Sequence, residues 1–138
     1  VIAYLDSSVL LRLVFGEPGK LQEFSQVEYA VSSEILKVEC LRTIDRLRIR
    51  ALLTDEEVAT RNEAVFAVLN RTELVLLSPP VLERASQPFP TGVRTLDALH
   101  LTSALLWRQA EGKELAFLTH DRELGLAARA LGFQVLGC

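Results

Sequence analysis

Two apolar, strand-like runs in this sequence each end at an aspartate. VIAYL stops at Asp6, and ELAFL leads through Thr119 and His120 to Asp121 in LTHDREL. Two further acids, Glu39 in SSEILKVECLR and Asp97 in LDALHLTSAL, lie in stretches with helical spacing. Carboxylates in groups either share protons or hold a cation, because two of them about 5 Å apart at an effective dielectric of about 20 repel by roughly 3 kcal/mol. Four in one cleft therefore call for protons or for a divalent ion. An all-oxygen set with no cysteine nearby suits Mg²⁺ or Mn²⁺ rather than zinc, and Mg²⁺ usually completes its shell with water and phosphate oxygens. Phosphate-ester chemistry is the expectation.

Each acid also has a plainer explanation. Asp6 ahead of Ser7-Ser8 can cap a helix, and Asp97 and Asp121 in or before a first turn can complement the helix dipole. Glu39 lies beyond the first turn, where a solvated stripe is the plain alternative to a ligand.

The elements that would bring the four together follow from the pattern. Short apolar runs (VIAYL, EYAVS, ELVLL, ELAFL, FQVLG) alternate with longer helical stretches, which predicts a mostly parallel central sheet with helices on both faces, a three-layer α/β/α fold. Helices are expected over Ser7 to Phe15, with Gly16, Pro18 and Gly19 as the stop, and around Leu21 to Gln26. A long helix should begin at Ser33, and another after Thr54, whose spacing to Glu57 reads as a capping box. A short one should start at Pro79-Pro80, and a buried one should cover LDALHLTSALLWRQA. The last, RELGLAARAL, has Gly132 where a C-cap glycine belongs. In such sheets ligands collect beyond the carboxyl ends of the strands, near the reversal of strand order. Asp6 and Asp121 fall on that rim, and helices carrying Glu39 and Asp97 start from it.

Composition narrows the class. The 138 residues, 49% hydrophobic, suit a single domain, residues 1–138, with one core. Fifteen basic against 18 acidic side chains, a formal charge of −3, give no global field for a polyanion, so nucleic acid would need a local basic patch or a bound cation. Cys40 and Cys138 form no zinc or disulfide pattern. No signal-peptide pattern is visible, and no apolar run approaches the roughly 20 residues of a membrane span, so a cytoplasmic setting without membrane contact is expected.

The ordered set of Asp6 in YLDSSVLLRL, Glu39 in SSEILKVECLR, Asp97 in LDALHLTSAL and Asp121 in LTHDREL resembles the PIN-domain ribonucleases, and among them the VapC-type toxins of toxin–antitoxin pairs. The resemblance covers essentially the whole chain. It implies a Mg²⁺- or Mn²⁺-dependent endoribonuclease that hydrolyses RNA phosphodiesters, forms a homodimer and is inhibited by a small VapB-type antitoxin lying across the groove. Asp6, Glu39 and Asp97 would hold the first metal directly or through water, and Asp121 would complete the site or hold a second ion. Ser7 and Thr119 are expected to donate hydrogen bonds to these carboxylates or to metal-bound water. Arg42, Arg46 and Arg50 follow Glu39 at helical spacing and, with Arg12 and Arg94, are candidates for RNA phosphates; pairing with Asp45 and Glu56 is the alternative.

His100 is expected as a satisfied core or rim histidine. His120 reads equally as a substrate contact or an exposed loop residue, and Trp107 as core or dimer interface. The apolar residues of the Ile35 to Asn70 pair exceed what one thin layer buries, which suits a protein partner. A haloacid-dehalogenase-like phosphatase would need an acid where Ser8 stands, and a receiver domain would need paired acids and a late lysine that are absent here. A degenerate PIN-like module that binds RNA or a partner without cutting is the remaining alternative.

Overall fold

The computed structural model of the chain describes residues 1–16 and 22–138; Pro18, Gly19 and Leu21 lie outside the described residues. The order is β1 (Ile2–Leu5), α1 (Ser7–Phe15), a 3₁₀ turn (Gln22–Gln26), β2 (Tyr29–Ser33), α2 (Ile35–Ile49), α3 (Asp55–Leu69) and β3 (Thr72–Val75). It continues with α4 (Pro79–Ala85), α5 (Thr95–Glu111), β4 (Ala116–Leu118), α6 (Arg122–Ala130) and β5 (Gln134–Leu136). The strands form one sheet in the order β3-β2-β1-β4-β5, and every pairing is parallel.

β1 is central, and its residues alternate between two cores. Tyr4 points to one face with Val31, Leu101, Phe117, Leu124 and Phe133, under α5 and α6. Ala3 and Leu5 point to the other with Val9, Ala116 and Leu118. A further cluster of Leu10, Leu36, Cys40, Ile44 and Val65 joins α1, α2 and α3. Strands with both faces covered carry continuous apolar runs, which is why IAYL and AFL lack polar alternation.

The element boundaries follow local chemistry. Thr54 and Glu57 form the capping box in both directions. Gly16 ends α1 and Gly112 ends α5 in left-handed geometry, at φ 63° and 62°, and Gly132, at φ 87°, follows the α6 C-cap residue Leu131. Ser33 differs from expectation: it is the last residue of β2, and its hydroxyl accepts a bond from the Ile35 amide, so it precedes the helix rather than opening it. The described part of the segment expected to be helical around Leu21 is a 3₁₀ turn.

The chain builds β1, β2 and β3 outward in one direction, then crosses back to lay β4 on the other side of β1. That reversal places the carboxyl ends of β1 and β4 side by side, with Leu5 in register with Leu118 and the Asp6 amide bonded to the Leu118 carbonyl at 3.1 Å. Loops diverge at such a switch point and leave a crevice.

Candidate active site

Asp6 leaves β1 and turns into α1. Its Oδ1 accepts the Ser7 amide at 2.7 Å, the N-cap role, while its Oδ2 accepts the hydroxyls of Ser8 at 2.7 Å and Thr119 at 2.8 Å. Only 5% of the residue is exposed, so these donors replace the water a buried carboxylate would otherwise need. Thr119 follows β4 and is fully buried; its hydroxyl oxygen also accepts the Asp121 amide at 3.0 Å. Asp121 in turn caps α6, taking the Glu123 and Leu124 amides on Oδ1. Capping and membership of the site coincide at both strand ends.

The strand-end loop is braced from β5. Gly137, at φ 107°, lies so close to the Thr119 carbonyl that a Cβ there would collide with it, and its own carbonyl accepts His120 Nδ1 at 3.1 Å. His120 is half-buried rather than an exposed loop residue. Its amide is bonded to Ser8 Oγ, and its Nε2 is buried without a partner. It does not line the acidic cavity described below.

Glu39 reaches the same place from the second turn of α2. Its Oε2 lies 3.4 Å from Ser7 Oγ, which is also 3.4 Å from Asp6 Oδ1, so the Ser7 hydroxyl sits between the two acids. Its Oε1 is 2.5 Å from Nε2 of His100, a fully buried residue of α5 whose Nδ1 is 2.7 Å from the Tyr4 hydroxyl. His100 is thus the satisfied buried histidine expected, and one of its partners is a site acid. Burial opposes its charge, but the hydrogen bond and charge of Glu39, with Asp6 and Asp97 nearby, outweigh burial and raise its affinity for a proton.

Asp97 lies in the first turn of α5. Burial raises its pKa, and the neighbouring charges of Asp121 and Asp6 raise it further. Negative charge is therefore in excess around Asp97. Burial, then Glu39 and Asp6, push the Cys40 thiol up to about 12, so it is no nucleophile.

All four acids line one cavity of about 730 Å³ with Ser7, Ser8, Arg94, Thr95, Leu96, Arg122 and Glu123. Among the described residues, no three acidic, histidine or cysteine side chains are set to hold an ion as they stand. The donors nonetheless fit a hard divalent cation in kind. They are oxygens, the charges of Asp121 and Asp6 raise the pKa of Asp97, and an ion that keeps several waters needs only one or two direct carboxylates.

A second cavity of about 360 Å³ shares Ser7, Glu39 and Leu96 with the first and is lined by Arg42, Thr43 and Arg46. Arg42 is paired with Asp45 at 3.1 Å, as the plainer reading supposed, but Arg46 bonds the Thr43 hydroxyl instead, and Glu56 is bonded to none of these arginines. Arg94 lines the acidic cavity; Arg12 and Arg50 line neither. Arg50 is the C-cap residue of α2. Trp107 is core, and its Nε1 donates to Glu73 at 2.8 Å.

The sequence reading missed the parts played by Ser8 and Tyr4 and the cavity position of Arg122. Ser8 carried a usable signal, since a hydroxyl two residues after a strand-end aspartate can fold back on it. Tyr4 in an apolar run carried none.

The profile of the PIN domain family matches residues 3–130. Ribonuclease VapC46 of Mycobacterium tuberculosis (strain ATCC 25618 / H37Rv) is 33% identical to this chain over 137 residues, which cover 96% of this chain and 95% of the relative. Ribonuclease VapC47 of Mycobacterium tuberculosis (strain CDC 1551 / Oshkosh) is 28% identical over 137 residues, covering 94% and 92%.

Proposed function

The chain belongs to the PIN domain family, and on that footing we propose that it is a metal-dependent endoribonuclease hydrolysing RNA phosphodiester bonds, the toxin of a type II toxin–antitoxin module. One observation carries the reading: carboxylates from four separate segments, Asp6, Glu39, Asp97 and Asp121, line a single cavity at the switch point of a parallel sheet. The names of the two mycobacterial relatives support it.

Asp6, Glu39 and Asp97 would hold Mg²⁺ or Mn²⁺, partly through water, and Asp121, whose Oδ1 is committed to the α6 amides, would add Oδ2 or serve a second ion. A divalent ion in such a site lowers the pKa of its water and offsets charge on the phosphoryl oxygens. The chain's own part is positional. Ser8 and Thr119 fix Asp6, Ser7 stands between Asp6 and Glu39, and the sheet fixes the spacing of the strand ends. Arg94 and Arg122 at the acidic cavity, with Arg42 and Arg46 beside it, offer phosphate contacts local to the site of a chain whose net charge is negative.

A second copy of the chain and a small VapB-type antitoxin are the protein partners we propose. Val38, Ile49, Leu52 and Phe66, at 53%, 65%, 63% and 42% exposed, leave apolar surface on and beside α2 and α3 for them. Among the described residues, no helix is long and apolar enough to cross a membrane.

The test is cleavage of RNA by the purified protein. Activity should disappear in EDTA, return with Mg²⁺ or Mn²⁺, and be lost in Asp6→Asn; full activity in chelator or in the variant rules the mechanism out. The acids do not close on an ion as they stand, which favours a second reading, a PIN-like module that binds RNA or a partner without cutting. Titration with Mn²⁺ separates the two, since an intact site should give saturable binding that Asp6→Asn removes.

A further inference from the structure

The half-buried Glu39 side chain ends against a fully buried histidine. We propose that Tyr4 and His100 are positioning residues for Glu39, forming a strut that takes one carboxylate oxygen out of play and presents the other to the cavity. The proposal rests on the reading of Glu39 as an acid that holds the metal.

The strut is rigid at its base. Tyr4 lies in the central strand with no exposed surface, stacked on Phe117 at 5.0 Å between ring centroids and meeting the His100 ring edge-on at 5.7 Å. Its hydroxyl therefore has one place to be. Ser32 and Ser103, the other hydroxyls within its reach, donate to the Leu5 and Leu99 carbonyls at 2.6 and 2.7 Å. The hydrogen bond the phenol makes with a ring nitrogen is the one to His100 Nδ1 at 2.7 Å.

The proton positions follow from what each group can do. An ionised carboxylate only accepts, so His100 Nε2 must carry the hydrogen shared with Glu39 Oε1. In a neutral ring Nδ1 is then bare, and the Tyr4 hydroxyl is the donor that meets it. Glu39 Oε1 is held against α5, and Oε2 is turned toward Ser7 and the cavity. Hydrogen bonds of this kind orient ligands, and their loss typically costs about 10–100-fold in metal affinity.

Three variants test it, each checked by thermal melting. His100→Leu fills the space without a donor, His100→Gln restores an N–H near the Nε2 position, and Tyr4→Phe removes one buried oxygen. Mn²⁺ affinity measured by titration should fall about tenfold in His100→Leu, recover most of that in His100→Gln, and fall a few-fold in Tyr4→Phe. Wild-type affinity in folded His100→Leu, or no recovery in folded His100→Gln, overturns the strut. Should the histidine variants fail to fold, Tyr4→Phe decides: unchanged affinity overturns it.

A wild-type protein that binds no Mn²⁺ overturns the metal reading instead. The strut is then judged without metal, from the ¹⁵N shifts of His100 at a pH where the ring is neutral. The proton should sit on Nε2 in wild type, where Glu39 accepts it; an Nδ1-protonated wild type sinks the proposal.

Discussion

Asp6 and Asp121 stand at strand ends and are tied to the backbone that follows them, whereas Glu39 and Asp97 project from helices into the same cavity, Glu39 against the His100 ring and Asp97 back toward the Arg94 amide that begins its own helix. The two pairs share a site on different terms. A strand-end acid caps the next helix, so the fold gains from its charge. A helix-borne acid brings charge that the fold must tolerate, as the raised pKa of Asp97 indicates. The same residue type is thus stabilising on one side of the cavity and costly on the other.

Replacement of Asp6 should break the arrangement most severely. Asp6→Ala removes an N-cap, worth about 1 kcal/mol, and strands the buried Thr119 hydroxyl and its Ser8 neighbour, a further cost of about 1–3 kcal/mol. For a chain of this size the melting temperature should fall by about 4 °C per kcal/mol, and RNA cleavage by at least about a hundredfold. A variant that melts with wild type would show that these bonds do not hold the strand end.

Asp121→Ala is milder, since Asp121 is exposed and only its cap is lost; about 1 kcal/mol, or about 4 °C, is expected from differential scanning calorimetry. No drop at all would count against the contrast drawn here.

The helix-borne side should respond in the opposite sense. A folded-state pKa above the unfolded value means that ionised Asp97 disfavours the fold at neutral pH, and that this cost vanishes as the pH falls through its titration. Asp97→Asn should therefore melt at or slightly above the wild-type temperature near pH 7 in EDTA, with the difference closing under acid, while cleavage is lost. A variant clearly less stable than wild type at neutral pH would place Asp97 with the strand-end acids.

This difference also explains what the amino-acid sequence could convey. Helix starts and strand ends are local events, so Asp6, Asp121, the Thr54–Glu57 box and the run from Thr95 to Glu111 could be read from a few neighbouring residues. The α/β/α layering followed from the alternation of apolar runs, although alternation alone did not say that every strand pair is parallel. Contacts across long separations stayed hidden. The bond from Tyr4 to His100 spans 96 positions and that from His100 to Glu39 spans 61, and nothing near any of the three announces its partners. The acids were expected to converge, and they do share a cavity. How closely they approach one another depends on side-chain rotamers, which spacing does not encode.

The smallest effect expected is at the basic edge of the helix-borne side. Arg42 and Arg46 both line the cavity beside Glu39, but Arg42 is paired with Asp45, which also holds Arg48, whereas among the described residues Arg46 bonds the neutral Thr43 hydroxyl and no acid. A guanidinium that no acid has claimed is the one that can release a counterion from RNA. On single strands each phosphate contact contributes a slope of about −0.7 in log affinity against log salt. Arg46→Ala should therefore flatten that slope by about 0.7, measured with a catalytically silent Asp6→Asn background so that the RNA survives the titration. Arg42→Ala should change it less, because Asp45 already holds Arg42, as it holds Arg48 at 2.9 Å. An equal effect of the two would mean that the Asp45 pair does not persist in solution, and an unchanged slope in both would move the RNA path off α2 toward Arg94 and Arg122.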